Sequence, residues 1–203
     1  MPDFHIEKEC MEQGYAVICG VDEAGRGPLC GPVCAAACIL PPDCNIPGLN
    51  DSKKLSEKKR ELLYDQITKT ALAYCVCLGS VEEINQTDIL STTLHTMRRA
   101  IEGLSIKPDL ALIDGNINRG FTIPTRTVIH GDAISASIAA ASILAKVTRD
   151  RLCLEMDRQY PGYGIAKHKG YGTKEHMEAL ERLGPTPIHR TKFIRFLDRD
   201  NKD

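Results

Sequence analysis

Apolar residues recur along the chain with two periods. Compact apolar runs at 15–22, 33–40, 71–81, 110–114 and 125–129 read as five strands, short enough and sharp enough at their ends to lie in a sheet. Between them the period changes. Ser56 reads as an N-cap for a helix through about Thr70, with Leu62, Leu63 and Ile67 as its buried stripe. Ile89, Leu90, Leu94, Met97, Ile101 and Leu104 recur at three- and four-residue steps and mark a longer amphipathic helix. From Ser135 to about Tyr160 an Ala-rich stretch predicts a long helix whose first half is apolar enough to be largely buried. Gly/Tyr-rich loops follow at 161–164 and 168–172, then a last helix over about 174–183, and from Ile188 a charged tail expected to fray. Three early strands, then strands alternating with helices, predict an α/β fold: a mixed sheet flanked by helices, with a helical C-terminal extension. The expected organisation is an arm at 1–14, an α/β domain at 15–160, a loop-helix extension packed on it at 161–193, and a flexible tail at 194–203.

Bulk properties narrow the class. A chain of 203 residues suffices for one domain with a real core. No apolar run approaches the ~20 residues that span a bilayer, and the acidic N-terminus has no signal-peptide character, so a cytoplasmic protein without a membrane role is expected. The nine cysteines include no C-x-x-C pair. Cys30, Cys34 and Cys38 share parity, as do Cys75 and Cys77, so they read as small core hydrophobes in a reducing compartment, with a sheet core unusually sensitive to oxidation. A net charge of −1 argues for no particular partner, but it is unevenly spread. Residues 47–60 carry five basic against two acidic side chains, and 142–176 seven against four, which fits either a phosphate-tracking face or ordinary solvated helices.

The candidate chemistry lies where apolar runs end. Asp22-Glu23 closes the first run, two acids that are costly to bury without a cation or hydrogen-bond partner. Gly25-Arg26-Gly27 follows and places a phosphate-suited guanidinium between residues that permit close backbone approach. Asp114 ends the run 110–113; taken singly it is an Asp-Gly turn. Asp132 lies just ahead of the Ala-rich helix; taken singly it is a cap or a dipole partner. Together the four acids occupy the strand carboxyl ends and the helix start where α/β sheets place ligands. Converging carboxylates repel unless cations are present, and hard oxygen ligands suit Mg²⁺ or Mn²⁺, a pair of which serves in-line displacement at phosphorus.

These blocks resemble those of the bacterial ribonuclease HII family, the type 2 ribonucleases H. The resemblance runs from about residue 16 to 193 through Gly20–Pro28, Leu49–Leu55, Leu112–Gly115, Gly131-Asp132, Ser137–Asp150, Tyr160–Gly164, His168–Gly172 and Pro187–Arg190. It implies a ribonuclease H-like five-stranded mixed sheet and a metal-dependent endoribonuclease. The expected reactions are hydrolysis of RNA in RNA–DNA hybrids and incision 5′ of single ribonucleotides in duplex DNA, leaving a 3′-hydroxyl and a 5′-phosphate. It also implies Asp22, Glu23, Asp114 and Asp132 as catalytic carboxylates holding two Mg²⁺ or Mn²⁺ ions, Gly25, Arg26 and Gly27 as a sensor of the ribose 2′-hydroxyl, and Tyr171 as a stack for the next deoxyribose. Lys53, Ser142, Lys146 and Arg149 are expected to contact phosphates or hold the site together. Lys146 is equally readable as a surface charge, and His168 as a phosphate contact or a loop hydrogen bond. Asp150 is expected to pair with a neighbouring Arg, and Tyr163 to pack. The expected partners are RNA–DNA hybrid and ribonucleotide-containing duplex, acted on by a monomer. Another nuclease of similar fold, or a non-catalytic hybrid-binding protein, are the rival readings.

Overall fold

The computed structural model describes residues 1–198. In chain order its elements are α1 (His5–Glu12), β1 (Ile18–Ala24), β2 (Val33–Ile39), α2 (Glu57–Thr70), β3 (Ala73–Gly79), α3 (Val81–Gln86), α4 (Ile89–Glu102), β4 (Leu110–Asp114), β5 (Thr125–Val128), α5 (Gly131–Ile134), α6 (Ala136–Gln159), α7 (Ile165–His168) and α8 (Lys174–Leu183). The five strands form one mixed sheet, as expected, in the order β3-β2-β1-β4-β5. β1 runs antiparallel to β2 and parallel to β4, with Val21 opposite Ile113, so Asp22 and Asp114 end adjacent parallel strands. No helix among the described residues is long and apolar enough to cross a membrane.

Side-chain alternation assigns the two faces of the sheet. Cys19 and Val21 of β1, Ala35 and Ala37 of β2 and Ile113 of β4 pack with Met97, Ala100 and Ile101 of α4. On the other face Cys34, Ala36 and Cys38 of β2 pack with α6 and with Leu63 and Ile67 of α2. α6 lies against β1 so closely that a Cβ at Gly20 would fall inside the backbone of Ser137 and Ile138. Its start is anchored from α1: the buried Glu7 carboxylate accepts from Ser135 Oγ at 2.7 Å and from Ser137 N at 2.9 Å, while Ser135 caps α6.

Several expectations need correction. The run 71–81 divides because Ser80 and Glu83 form a reciprocal capping box, which ends the strand and starts α3. α4 buries Thr92, Thr93 and Thr96 beside Met97, with Ile89 and Leu90 only half-buried. The hydroxyls of Thr93 and Thr96 donate to the carbonyls four residues back, at 2.7 Å each, so these threonines enter the core without an unpaired group. Leu62 is 57% exposed and does not belong to the α2 stripe. The chain from Ile188 does not fray: Gly31 N donates to Ile188 O, Arg190 N donates to Leu29 O, both at 2.8 Å, and Ile194 is buried. Its charges misled, because Arg190 is wholly buried. Arg195–Asp198 form a short helical turn, and residues 199–203 of the expected tail lie outside the described residues.

The cysteines are all free, and Cys34 and Cys38 are sealed in the core. Burial pushes the Cys34 thiol up to about 12 and Cys38 higher still. Since the thiolate is the reactive form, the expected oxidation sensitivity of the sheet core does not follow from this structure. Native protein treated with a thiol reagent should be modified at the half-buried Cys44, Cys75 and Cys77, with Cys34 and Cys38 protected until denaturant is added; mass spectrometry of the labelled peptides reads this directly. Gly20→Ala should cost ~3 kcal/mol or more in denaturant unfolding, because the added methyl meets backbone and not a movable side chain.

Candidate active site

The alternation that faces Gly20 toward α6 also turns Asp22 to that side, while Glu23 points toward the α4 side. Asp22 is nearly buried, and its Oδ1 accepts from Glu23 N at 2.7 Å. Asp114 Oδ1 accepts from Gly131 N at 2.7 Å, which ties the end of β4 to the first residue of the short helix carrying Asp132. Lys53 Nζ lies 3.2 Å from Asp132 Oδ2, and Arg26 Nη1 lies 3.5 Å from Glu23 Oε1. The turn that presents Lys53 is built locally: Asp51 Oδ1 accepts from Lys53 N at 2.9 Å, and Arg60 of α2 donates to the carbonyls of Ser52 and Leu55. Asp22, Glu23 and Asp114 line a cleft of about 210 Å³ with Arg26, Lys53 and Tyr171.

The electrostatics of this cleft are unbalanced. Burial, followed by the charges of Glu23, Asp114 and Asp132, raises the Asp22 carboxyl well above its ordinary range. Burial also raises Glu23, against the pull of Arg26, and burial with Asp132 raises Asp114. Burial acts to lower Lys53, but the charge and hydrogen bond of Asp132 outweigh it and the ammonium is held more firmly than usual. Among the described residues only Arg26 and Lys53 pair directly with these four acids, so the carboxylates are incompletely neutralised where they meet. A cluster of hard carboxylate oxygens fits divalent Mg²⁺ or Mn²⁺.

The other expected residues divide. Tyr171 is 47% exposed, and its ring would lie 3.3 Å from a Cβ at Gly27, so it stands directly against the Gly25–Gly27 loop at the rim of the cleft. Lys146 borders the cleft, with its Nζ 2.7 Å from Asp150 Oδ1. Asp150 also faces Arg60 at 3.6 Å, the pairing expected of it, and Tyr163 packs, its hydroxyl donating to Gly184 O. Arg149 does not offer its guanidinium to a phosphate: it is buried, and it donates to the carbonyls of Cys30, Pro32 and Lys169, so it holds the site together. Ser142 is buried inside α6 and reaches no surface. His168 spends both ring nitrogens within its loop, on Tyr163 O at 2.7 Å and Gly170 N at 3.2 Å, the loop hydrogen bonding that is one of its two expected roles.

Sequence reasoning missed Arg190, which donates to four carbonyls of the segment 25–31, and the buried pair His176 and His189. The Pro187–Arg190 block was the available signal, masked by reading its charges as solvated. Among the described residues Cys30, His176 and His189 bring ligand atoms within 4.8 Å of one another. Hydrogen bonds account for the pair: Thr186 N donates to His189 Nδ1, which leaves His189 Nε2–H to donate to His176 Nε2, and His176 Nδ1–H to Tyr171 O.

With this geometry in view, the comparison with known proteins is decisive. Residues 19–196 match the family described as Ribonuclease HII. The chain belongs to the ribonuclease HII family. The Ribonuclease HII of Caulobacter vibrioides (strain NA1000 / CB15N) is 56% identical over 189 residues, covering 93% of this chain and 88% of that protein. The ribonuclease H2 crystal structure from Pyrococcus horikoshii OT3 superposes with a TM-score of 0.76 at 27% identity, over 93% of this chain and 100% of that one. Bst-RNase HIII in complex with Mn²⁺ shares the fold alone, with a TM-score of 0.65 at 19% identity over 93% of this chain and 66% of that one. The ribonuclease HII family member described here is accordingly a metal-dependent ribonuclease H, an endonuclease acting on RNA–DNA hybrids, and the ribonuclease H-like fold expected of it is the one observed.

The charge imbalance predicts a measurable stability effect. A carboxyl whose folded pKa is raised destabilises the fold progressively as pH climbs from the group's ordinary range toward that raised pKa; the penalty is complete above it and is relieved as pH falls. In EDTA, Asp22→Asn should therefore melt higher than the parent at pH 8, by about 2–4 °C, with the gap closing toward acid pH. Adding Mg²⁺ should raise the melting temperature of the parent more than that of the variant, because only a ligand that binds the folded state stabilises it.

Proposed function

We propose that this ribonuclease H, besides cleaving RNA in hybrids, incises duplex DNA 5′ of a single embedded ribonucleotide and leaves a 3′-hydroxyl and a 5′-phosphate. The observation that carries this reading is the placement of Tyr171 beside Gly27, at the rim of a cleft lined by Asp22, Glu23 and Asp114. A carboxylate cluster alone serves many nucleases. A glycine-bounded loop beside an exposed aromatic ring offers a place to test the sugars that flank the scissile phosphate. In this reading Gly25, Arg26 and Gly27 meet the ribose 2′-hydroxyl, the group that marks RNA, and Tyr171 stacks on the following deoxyribose.

The four carboxylates are proposed to hold two divalent ions, Mg²⁺ or Mn²⁺. Such a pair, when bound, activates water and stabilises the departing 3′-oxygen of an in-line displacement. The remaining work falls to the chain itself. Lys53 fixes Asp132 and keeps one cation at the rim of the cleft, and the tie from Asp114 to Gly131 holds two of the acids in mutual register. Lys146, already paired with Asp150, stands where a phosphate could share its ammonium. We place the enzyme in the cytoplasm, acting as a monomer on hybrids and on ribonucleotide-containing duplex.

The test is a labelled duplex with one ribonucleotide, incubated with Mg²⁺ or Mn²⁺ beside an all-DNA control. A single cut immediately 5′ of the ribonucleotide is expected, reduced on the order of 10²–10³-fold by Asp22→Asn. Tyr171→Ala should slow this cut more than it slows cleavage of a long hybrid. Cleavage of the hybrid with no cut at the isolated ribonucleotide would refute the reading.

A further inference from the structure

We propose that Arg190 is a positioning residue for hydrolysis: from behind the cleft, its guanidinium sets the conformation of the Gly25–Gly27 loop. The inference rests on the reading of that loop as the element that meets the ribose. Arg190 is wholly buried, yet no carboxylate is among its hydrogen-bond partners. Its Nη2 donates to Gly25 O at 2.6 Å, its Nη1 to Arg26 O at 2.9 Å and Pro28 O at 2.8 Å, and its Nε to Gly31 O at 2.9 Å. A planar fork with fixed N–H directions thus dictates where these carbonyls lie.

The loop needs such a template. Gly25 takes a left-handed φ of +96°, and a side chain there would collide with the Arg149 guanidinium. Arg149 braces the adjoining stretch through Cys30 and Pro32, so two buried guanidiniums hold one segment from the inside. Burying a charge is costly, and packing like charges side by side adds to the cost. Burial, with Arg149 as the next cause, brings Arg190 down to about 10. An apolar side chain would fill the same space without that penalty, but it could not orient carbonyls.

The outward side of the loop carries the groups that face the cleft. Arg26 is directed at Glu23, and Gly27 stands against Tyr171. The same turn reaches Tyr171 as well: His189, next to Arg190, hydrogen-bonds His176 at 3.2 Å, and His176 Nδ1 holds Tyr171 O at 2.9 Å. One buried turn therefore holds both the loop at Gly27 and the backbone of the Tyr171 that stands against it.

The experiment compares the parent enzyme with Arg190→Lys and Arg190→Gln on a long RNA–DNA hybrid and on the single-ribonucleotide duplex, at a temperature well below each melting midpoint. Lys retains charge and length but not the fork. The expected result is folded protein by circular dichroism, KM within about threefold of the parent, and kcat lowered at least 30-fold in both variants, with no recovery on further cooling. A kcat within threefold of the parent for the Lys variant would show that charge or bulk suffices. Recovery on cooling, or failure of both variants to fold, would make Arg190 a determinant of stability alone; each of these outcomes overturns the proposal. The hybrid comparison stands even if the parent leaves an isolated ribonucleotide uncut, so the two readings fail separately.

Discussion

The contact on which the molecule depends is the approach of α6 to the central strand at Gly20. Hydrogen becomes the only side chain that fits where the backbone of Ser137 and Ile138 meets β1. That single close approach sets the depth at which the long helix lies, and through strand alternation it sets which side of the sheet receives Asp22. The parallel register of β1 with β4 then brings Asp114 beside it, and the tie from Asp114 to Gly131 brings Asp132. Packing an apolar helix and assembling a polar site are here the same event.

The fold opposes itself at this site. Carboxylates raised first by burial and then by one another's charge destabilise the folded chain near neutral pH, while hydrophobic burial on both faces of the sheet supplies the surplus that tolerates them. Strain of this kind is useful in an enzyme that works on a phosphodiester. Backbone ties from Glu23 N to Asp22 and from Gly131 N to Asp114 hold these acids in place within the folded chain.

The C-terminal extension completes the cleft from the rear. Its own cluster of Tyr163, Ile165, Leu180 and Ile194 packs with Cys30 and Cys153, which seats the turn carrying His189 and Arg190 beneath the segment 25–31. The turn at 189–190 thereby meets the loop after β1. Arg149 of α6 joins them from the side, so three distant stretches of sequence share responsibility for a few carbonyl groups.

Local physics in the sequence determined much of this protein. Five apolar runs, the periodicity of α4 and the Ala-rich stretch of α6 announced a mixed sheet between helices, because burial of periodic apolar faces is decided by neighbours in the chain. Asp22, Glu23, Asp114 and Asp132 were legible as acids stranded at the ends of such runs, and the order of their motifs carried the family. Tertiary structure decided the rest. Whether Arg149 and Arg190 meet solvent or carbonyls, whether Ser142 and His168 reach the cleft, and whether threonines line α4 as core all depend on partners brought from over a hundred residues away or from hydrogen bonds that close only in the folded state. A charged side chain shows its charge in the sequence, but its burial is a property of what folds around it.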